Sequence, residues 1–486
     1  MSDVVRIAEP IAALGFSSEK VHVEVSVGSL YPVLPQHTGR YNVAKRVNRS
    51  HAVVGAGMFM SARTPVPMYL PQQWSAHTHP EGQVYFVRSG PIRVVTDSYL
   101  YKSEVSDKIV SWVQIIEKEA ASKGFSLTET VELYVQLEDE DCNYYFADHA
   151  ARTLFWLDDY DTSELGLLPV VSPSHLKLQL EEHYWTHVEY HCMHAVSFQN
   201  NIVEEAISQL IHACGDQMTS SSSTFPYTFQ ECKNFLDILV PARQKAVDGH
   251  ITTLVARIFN VVANNRYWTH YGQEQARLSR DTSIVESADD DCVTWPAAVS
   301  SALTFKSSDF FEARLNAIFT DNYVYAIDWQ KFMQQSLGKW KNAFVLSLAL
   351  LVLHVFCFFL PVSQSLAVAS SSFLGLSIFL SAVLVHQHQD LENGTAGEAY
   401  AYLSKNISKK YKFQALSLLF SLPQAFSLWG LVLTFSQALL FIQPFHLYIL
   451  FSTAVLASVL YVSRSLFSRR APPPAPEKES ATQSLA

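Results

Sequence analysis

Four long apolar runs fill the last third of this chain, and they limit its possible folds more than any other feature. Each run has about the 20 residues that an α-helix needs to cross the ~30 Å hydrocarbon core of a bilayer. Four such runs in succession, with almost no ionisable residue inside them, are rare in soluble cores. The sequence therefore predicts a membrane region over residues 341–465, with four transmembrane helices at residues 343–361, 365–385, 413–441 and 446–462.

The connections between these runs are alternately charged and uncharged. Lysines precede the first run and separate the second from the third, and arginines follow the fourth. Because Lys and Arg near membrane spans stay on the cytoplasmic side, we predict a multi-pass protein with both termini cytoplasmic. This orientation would leave the three Asn-x-Ser/Thr sequons, at Asn48, Asn393 and Asn406, without glycans.

Composition narrows the class of the remaining residues. The mean hydropathy of +0.08 averages an ordinary soluble region with the apolar third. A formal net charge of −10 excludes the basic face that a nucleic-acid partner normally requires. Six scattered cysteines without a CxxC pair, and no basic-plus-apolar N-terminal leader, predict a reducing, cytosolic location for the soluble part. No P-loop, GxSxG or dinucleotide fingerprint occurs, so no catalytic residue and no cofactor are predicted.

The soluble part divides by pattern into three segments, which makes the fold class a multi-domain α+β protein. Residues 1–66 form a partly ordered lead-in, residues 67–161 read as short aromatic strands with one helix at Val105–Lys123, and residues 162–340 read as helical. Ser172-Pro173 is a good start for a helix through Tyr190, because serine caps the first turn and proline suits its first position. Three more helices are predicted at residues 202–218, 229–247 and 251–264, and the Pro-rich tail at 466–486 is predicted to be disordered.

Two segments repeat with an offset of 60 residues. Leu70-Pro71-x-x-Trp74 followed by Tyr85-Phe86 resembles the first two strands of a WW domain, but Thr96 stands where that family has its second tryptophan. Residues 144–149 and 152–156 resemble the second and third WW strands, with Trp156 eleven residues after Tyr145. The tyrosine at position 134 replaces the first tryptophan of this second repeat.

The resemblance implies a groove for proline-rich peptides in the second repeat. In WW domains a strand-two tyrosine and a strand-three tryptophan form two flat walls that hold a polyproline II segment. Carried over to this sequence, the peptide-binding residues are Tyr145, His149 and Trp156, although Leu154 replaces the usual threonine. The alternative is that the two aromatic rings simply pack. Structural WW-like roles are predicted for Leu70, Pro71, Trp74, Tyr85 and Tyr134.

The whole arrangement resembles uncharacterised WW-domain-containing membrane proteins of fungi. This resemblance implies a membrane-anchored cytosolic scaffold or adaptor, with a proline-rich protein segment and the lipid bilayer as partners and no nucleic acid. The alternative from another class is a membrane-embedded enzyme or transporter of unknown substrate, in which the WW-like repeats are purely structural.

Four histidines follow helical spacing and share one face if the helix predicted from Pro173 to Tyr190 continues beyond Tyr190. Residues spaced i, i+4, i+8 and i+11 lie on one stripe, and neutral imidazoles one turn apart can chelate zinc or copper. No HExxH pattern accompanies them, so a solvated or partly packed face is predicted and a metal site is the alternative. The stripe consists of His183, His187, His191 and His194.

Overall fold

The chain forms two compact units, residues 1–284 and residues 285–486. The computed structural model describes residues 28–41, 46–58, 60, 69–194, 201–220, 222–243, 248–280, 282–284, 295–357, 364–408, 411–442 and 452–460. The boundary between these units, after residue 284, differs from the domain boundaries predicted after residues 161 and 340. Residues 162–284 belong to the same unit as the strands because their helices supply one wall of the core around the sheet.

A seven-stranded mixed sheet forms the centre of the first unit. Its strands are β1 (Leu30–Pro32), β2 (Trp74–Thr78), β3 (Val84–Arg88), β4 (Arg93–Thr96), β5 (Val131–Glu138), β6 (Asp141–Asp148) and β7 (Thr153–Phe155). The strand order is β1-β6-β5-β4-β3-β2, and β7 also pairs with β6. One strand of the predicted lead-in, β1, is thus part of the sheet, where it runs parallel to β6.

The two repeats form two antiparallel three-stranded meanders, β2-β3-β4 and β5-β6-β7. They share one sheet because β4 and β5 pair in parallel across a helical connection. The first hairpins of the repeats differ in register. Trp74 pairs with Arg88, whereas Tyr134 pairs with Tyr145, the counterpart of Tyr85. A turn of only two residues joins β5 to β6, and Asp139 adopts a positive φ of 56° there.

Helices cover both faces of the sheet. Helix α1 (Ser103–Ser122) packs on the apolar face, against residues such as Phe86 and Leu133. Helix α2 (Pro173–Tyr190) packs on the other face and along α5 (Gly249–Trp268). The predicted start of α2 is confirmed, because Ser172 Oγ accepts a hydrogen bond from the His175 amide at 3.1 Å. Helices α3 (Ile202–Thr219) and α4 (Phe229–Ala242) complete this unit; α3 matches the predicted position, and α4 begins where predicted but ends at Ala242.

The second unit is helical. Among its described residues, three helices are long and apolar enough to cross a membrane, at Ala326–Val355, Gln364–Asn393 and Gln414–Leu440. Residues 446–451 and 461–462 of the predicted fourth span lie outside the described residues, and its part at 452–460 is helical. The predicted Pro-rich tail also lies outside them. The helices are α6 (Trp295–Leu303), α7 (Ser307–Ile318), α8 (Ala326–Cys357), α9 (Gln364–His388), α10 (Ala396–Asn406) and α11 (Gln414–Ile442).

Small residues bring the three candidate spans together. Ser347 on α8 donates a hydrogen bond to Ser377 on α9 at 2.9 Å, and Ser377 donates one to the carbonyl of Pro423 on α11 at 2.7 Å. Gly430 allows the closest approach, because a Cβ at this position would lie 2.5 Å from Cδ2 of Leu374. In lipid no hydrophobic effect drives helices together, so close packing through small residues is the expected way for such helices to associate.

Candidate metal centre

The face of the sheet beneath α2 carries a buried charged side chain among apolar ones, which is unusual for a surface covered by a helix. Side chains alternate along a strand, so β5 directs Leu133 and Val135 toward α1 and directs Glu132 and Tyr134 toward α2. Glu132 is fully buried there. A buried carboxylate is costly unless it is paired, so its surroundings define the candidate site.

Three imidazoles face the Glu132 carboxylate. Nε2 of His149 lies 3.2 Å from Oε2, and Nε2 of His187 lies 3.4 Å from Oε1. Nε2 of His194 lies 3.0 and 3.1 Å from the two oxygens. Arg93, on the neighbouring strand β4, adds a guanidinium nitrogen 3.5 Å from Oε2. One carboxylate therefore holds together the end of β6, helix α2 and the segment that follows α2.

Each of these imidazoles has a tyrosine hydroxyl at its other nitrogen. Nδ1 of His187 lies 2.9 Å from the Tyr145 hydroxyl. Nδ1 of His149 lies 3.2 Å from the Tyr184 hydroxyl, and Nδ1 of His194 lies 3.0 Å from the Tyr85 hydroxyl. An ionised carboxylate accepts only. In the metal-free arrangement the Nε2–H groups therefore donate to Glu132, and the tyrosine hydroxyls donate to Nδ1.

The electrostatics of the cluster follow from burial and from these contacts. Burial alone would raise the pKa of Glu132, but the field of His194 and the hydrogen bonds from His149, His187 and His194 outweigh it and hold that pKa well below its usual range. Burial lowers the pKa of His187 to about 4, against the opposing effect of Glu132. The cluster is thus an anionic carboxylate beside a neutral imidazole, and neutral imidazole is the form that binds a metal ion.

The spacing of these atoms suits a metal ion. The ligand atoms of Glu132, His149 and His187 all lie within 4.8 Å of one another. Two ligands of one tetrahedral zinc ion, each about 2.1 Å from the metal, lie about 3.4 Å apart. The distances from Glu132 to His149 and to His187, 3.2 and 3.4 Å, are close to this value.

The predicted histidine stripe divides between several environments. His187 and His194 face Glu132, and His191 lies 3.6 Å from the carboxylate of Asp97. His183 is buried near His37 and makes no hydrogen bond or ion pair with either carboxylate among the described residues. Of the predicted solvated or partly packed face, the packed alternative applies to His183, His187 and His191, because the sheet and its connections cover them.

The structure encloses the predicted peptide-binding residues. Tyr145 is fully buried, its ring stacks on Tyr134 at 4.7 Å between centroids, and His149 is buried beside Glu132. Trp156 is half-buried against both cores, and its indole N–H has no hydrogen-bond partner among the described residues. The predicted groove is thus closed on its tyrosine side, which is the packed alternative for that ring.

The residues predicted to be structural are part of the sheet and its cores. Leu70 and Trp74 pack in the core beneath α1, and Tyr85 and Tyr134 lie in the core beneath α2. The carbonyl of Pro71 accepts a hydrogen bond from the Trp74 amide at 3.1 Å. Sequence reasoning missed Glu132. The available signal was a single glutamate inside the apolar strand Val-Glu-Leu-Tyr-Val, which is a costly place for a charge.

Comparison with known protein families, with curated proteins and with solved structures finds no match to this chain.

Proposed function

We propose that this chain is a membrane-anchored metal-binding protein that holds one divalent transition metal ion, with zinc the best fit, at Glu132, His149 and His187. The observation that carries the proposal is the convergence of one buried carboxylate oxygen and two buried imidazole nitrogens within 4.8 Å. Two imidazoles and one carboxylate form a ligand set typical of zinc sites that keep a fourth position open.

The tyrosines support this proposal. A metal ion would replace the Nε2 protons, and each ligand imidazole would then carry its proton on Nδ1 and donate it to a tyrosine oxygen. Metal-binding histidines almost always have such a partner at the second nitrogen, which sets the tautomer and the ring orientation. Tyr145 and Tyr184 are already in place for His187 and His149. His194, on the same carboxylate, is the nearest candidate for the fourth position.

Burial favours a role of the ion in holding the fold together. Glu132 belongs to β5, His149 follows β6 and His187 belongs to α2. An ion bound to all three would fasten α2 to the sheet, and its binding free energy would add to the free energy of unfolding. The same ion would offset the charge of Glu132, whose one permanently positive contact among the described residues is Arg93.

The membrane attachment is proposed from the second unit. Its three apolar helices support an integral membrane anchor, and the positions of the lysines and arginines support a cytoplasmic side for the first unit. Peptide docking at Tyr145 and Trp156 stays a prediction. A peptide could reach Tyr145 only after α2 had left the sheet.

Metal analysis of the full-length protein tests this proposal. Protein purified in detergent and loaded with zinc should retain about one equivalent after dialysis, as measured by plasma mass spectrometry. His187→Ala and Glu132→Gln should lose the ion while the far-ultraviolet circular dichroism stays that of the wild type. His183→Ala is the matched control, because His183 lies on the same helix but away from Glu132.

A second measurement covers the case in which these variants fail to fold. Cobalt(II) bound to wild-type protein should give the visible absorption of a four-coordinate nitrogen and oxygen site. Wild-type protein that keeps neither zinc nor cobalt, or a His187→Ala variant that keeps as much zinc as the wild type, would overturn the proposal.

A further inference from the structure

A second buried polar cluster lies on the same face of the sheet, in front of a cavity of about 390 Å³. The walls come from the segment after β1, from the start of β3 and from the ends of β4 and β5. None of the lining residues is a proposed metal ligand. They are Thr38, Arg40, Gln83, Val84, Asp97, Tyr99 and Gln136.

Arg40 is the most unusual member of this lining. Its side chain is only 2% exposed, and neither terminal nitrogen has a hydrogen-bond partner among the described residues. Its guanidinium lies over the Tyr190 ring, 4.8 Å from the centroid, which orients the group without satisfying its N–H donors. Buried donors without partners are rare in folded proteins, and each one calls for an explanation such as a ligand or ordered water.

Asp97 has an acceptor atom without a hydrogen-bond donor among the described residues. Its Oδ2 accepts a hydrogen bond from the Tyr134 hydroxyl at 3.3 Å, but Oδ1 has no partner among the described residues. Oδ1 lies 3.7 Å from Arg40 Nη1 and 3.6 Å from His191 Nε2, which is too far for a direct hydrogen bond in either case. Burial alone would raise the pKa of Asp97, but His191 and Arg40 outweigh it and lower that pKa, so the carboxylate is ionised.

These unpaired donor and acceptor atoms indicate which groups a ligand would need. Arg40 needs an acceptor, and its planar fork matches a carboxylate with two parallel hydrogen bonds. Asp97 needs a donor. Because the two groups are only 3.7 Å apart, the ligand must carry its acceptor and its donor on neighbouring carbons. The amides of Gln83 and Gln136 add hydrogen-bonding capacity to the walls, and Gln136 is oriented by a 3.1 Å hydrogen bond to the carbonyl of Thr38.

We propose that this cavity binds a small carboxylic acid with a hydroxyl or amino group on the adjacent carbon, with its carboxylate on Arg40 and its donor on Asp97. A 2-hydroxy or 2-amino acid satisfies both orphaned groups at once. A simple acid lacks the donor, and an amine or alcohol lacks the carboxylate. The binding site is independent of the metal proposal, since zinc content and acid binding are measured separately and depend on different residues.

Calorimetric titration of the full-length protein in detergent tests the proposal, with glycolate and glycine as probes and acetate and methylamine as comparisons. At least one of the two probes should bind, and acetate and methylamine should bind about tenfold more weakly or worse, because each loses a charge-assisted hydrogen bond. Arg40→Gln should abolish binding of the probe. Asp97→Asn should reduce the preference for the probe over acetate.

Controls separate a lost ligand contact from a lost fold. Arg266→Gln removes an arginine that lines a different cavity and should leave probe binding unchanged. If Arg40→Gln does not fold, Gln83→Leu replaces a lining amide at a less buried position and should weaken binding. Folded wild-type protein that binds neither probe, leaving a cavity that holds only water, would overturn the proposal. Equal binding of glycolate and acetate, or full binding by Arg40→Gln, would overturn it as well.

Discussion

The Tyr145 hydroxyl lies 2.9 Å from Nδ1 of His187, across the interface between the sheet and α2. Tyr145 is the residue for which the WW resemblance implies a wall of a peptide groove. In the folded chain it is instead the outer hydrogen-bond partner of an imidazole that faces Glu132. This contact links the internal repeat to the candidate metal centre, because the strand position that would face a peptide faces a histidine of α2.

Tyr145→Phe should weaken zinc binding by about tenfold while the fold is kept, because removing a hydrogen-bond partner of a ligand histidine typically costs 10–100-fold in metal affinity. Competition with a fluorescent zinc chelator measures the change. Tyr144→Phe is the matched control. The Tyr144 ring lies on the α1 face, and its hydroxyl accepts a hydrogen bond from the Leu157 amide. Equal losses in the two variants would contradict the role of Tyr145.

His183→Gln should make the stability of the protein less sensitive to acid. Burial, together with the nearby His37, lowers the pKa of His183 to about 4, whereas an unfolded histidine titrates near 6.5. Between these pH values the unfolded chain binds a proton that the folded chain refuses, so the contribution of His183 to stability falls as pH drops from about 6.5 to about 4.

The measurement is the thermal unfolding midpoint of wild type and His183→Gln at pH 7.5 and pH 5, in the same detergent. On acidification to pH 5, the free energy of unfolding should fall further in the wild type than in the variant, and this one group accounts for up to about 2 kcal/mol of the difference. An identical pH dependence in both proteins would show that His183 is not held neutral by its surroundings.

Gly430→Ala should destabilise the second unit. The new methyl group would lie 2.5 Å from Cδ2 and 2.7 Å from Cγ of Leu374, so α9 and α11 would have to separate. Overpacking of this kind costs about 1–3 kcal/mol, and thermal inactivation in detergent would report it. Gly375→Ala on α9 is the control, because nothing lies within 4 Å of a Cβ at that position. Leu374→Ala in the Gly430→Ala background should restore part of the loss.

The cytoplasmic orientation can be tested through the natural sequons. Asn393 is the last residue of the second candidate span, and Asn406 lies in the connection to the third, beside the lysines that predict a cytoplasmic side. In eukaryotic cells, glycosidase treatment should leave the electrophoretic mobility of the full-length protein unchanged. A mobility shift that disappears in Asn393→Gln or Asn406→Gln would reverse the predicted orientation.

Local patterns were sufficient to predict several parts of this structure. The lengths of the apolar runs predicted three of the helices that could cross a membrane, and a serine followed by proline predicted where α2 begins. Helical spacing also placed His183, His187, His191 and His194 near one another along the chain. These features depend on interactions within a few residues or on a composition that persists over a whole helix, so the sequence by itself determines them.

The tertiary structure alone decided how these parts meet. Periodicity shows which residues lie on the same face of a helix or strand, but it does not show which other element will pack against that face. The parallel pairing of β4 with β5 joined the two repeats into one sheet, and the packing of α2 on that sheet placed His187 over Glu132, 55 positions earlier in the chain. The residue after α2, His191, lies near Asp97, and the segment after β1 brings Arg40 to the same carboxylate. Both carboxylates therefore obtained their partners from segments distant in sequence, because a buried charge must be compensated wherever the fold brings opposite charges or donors within reach.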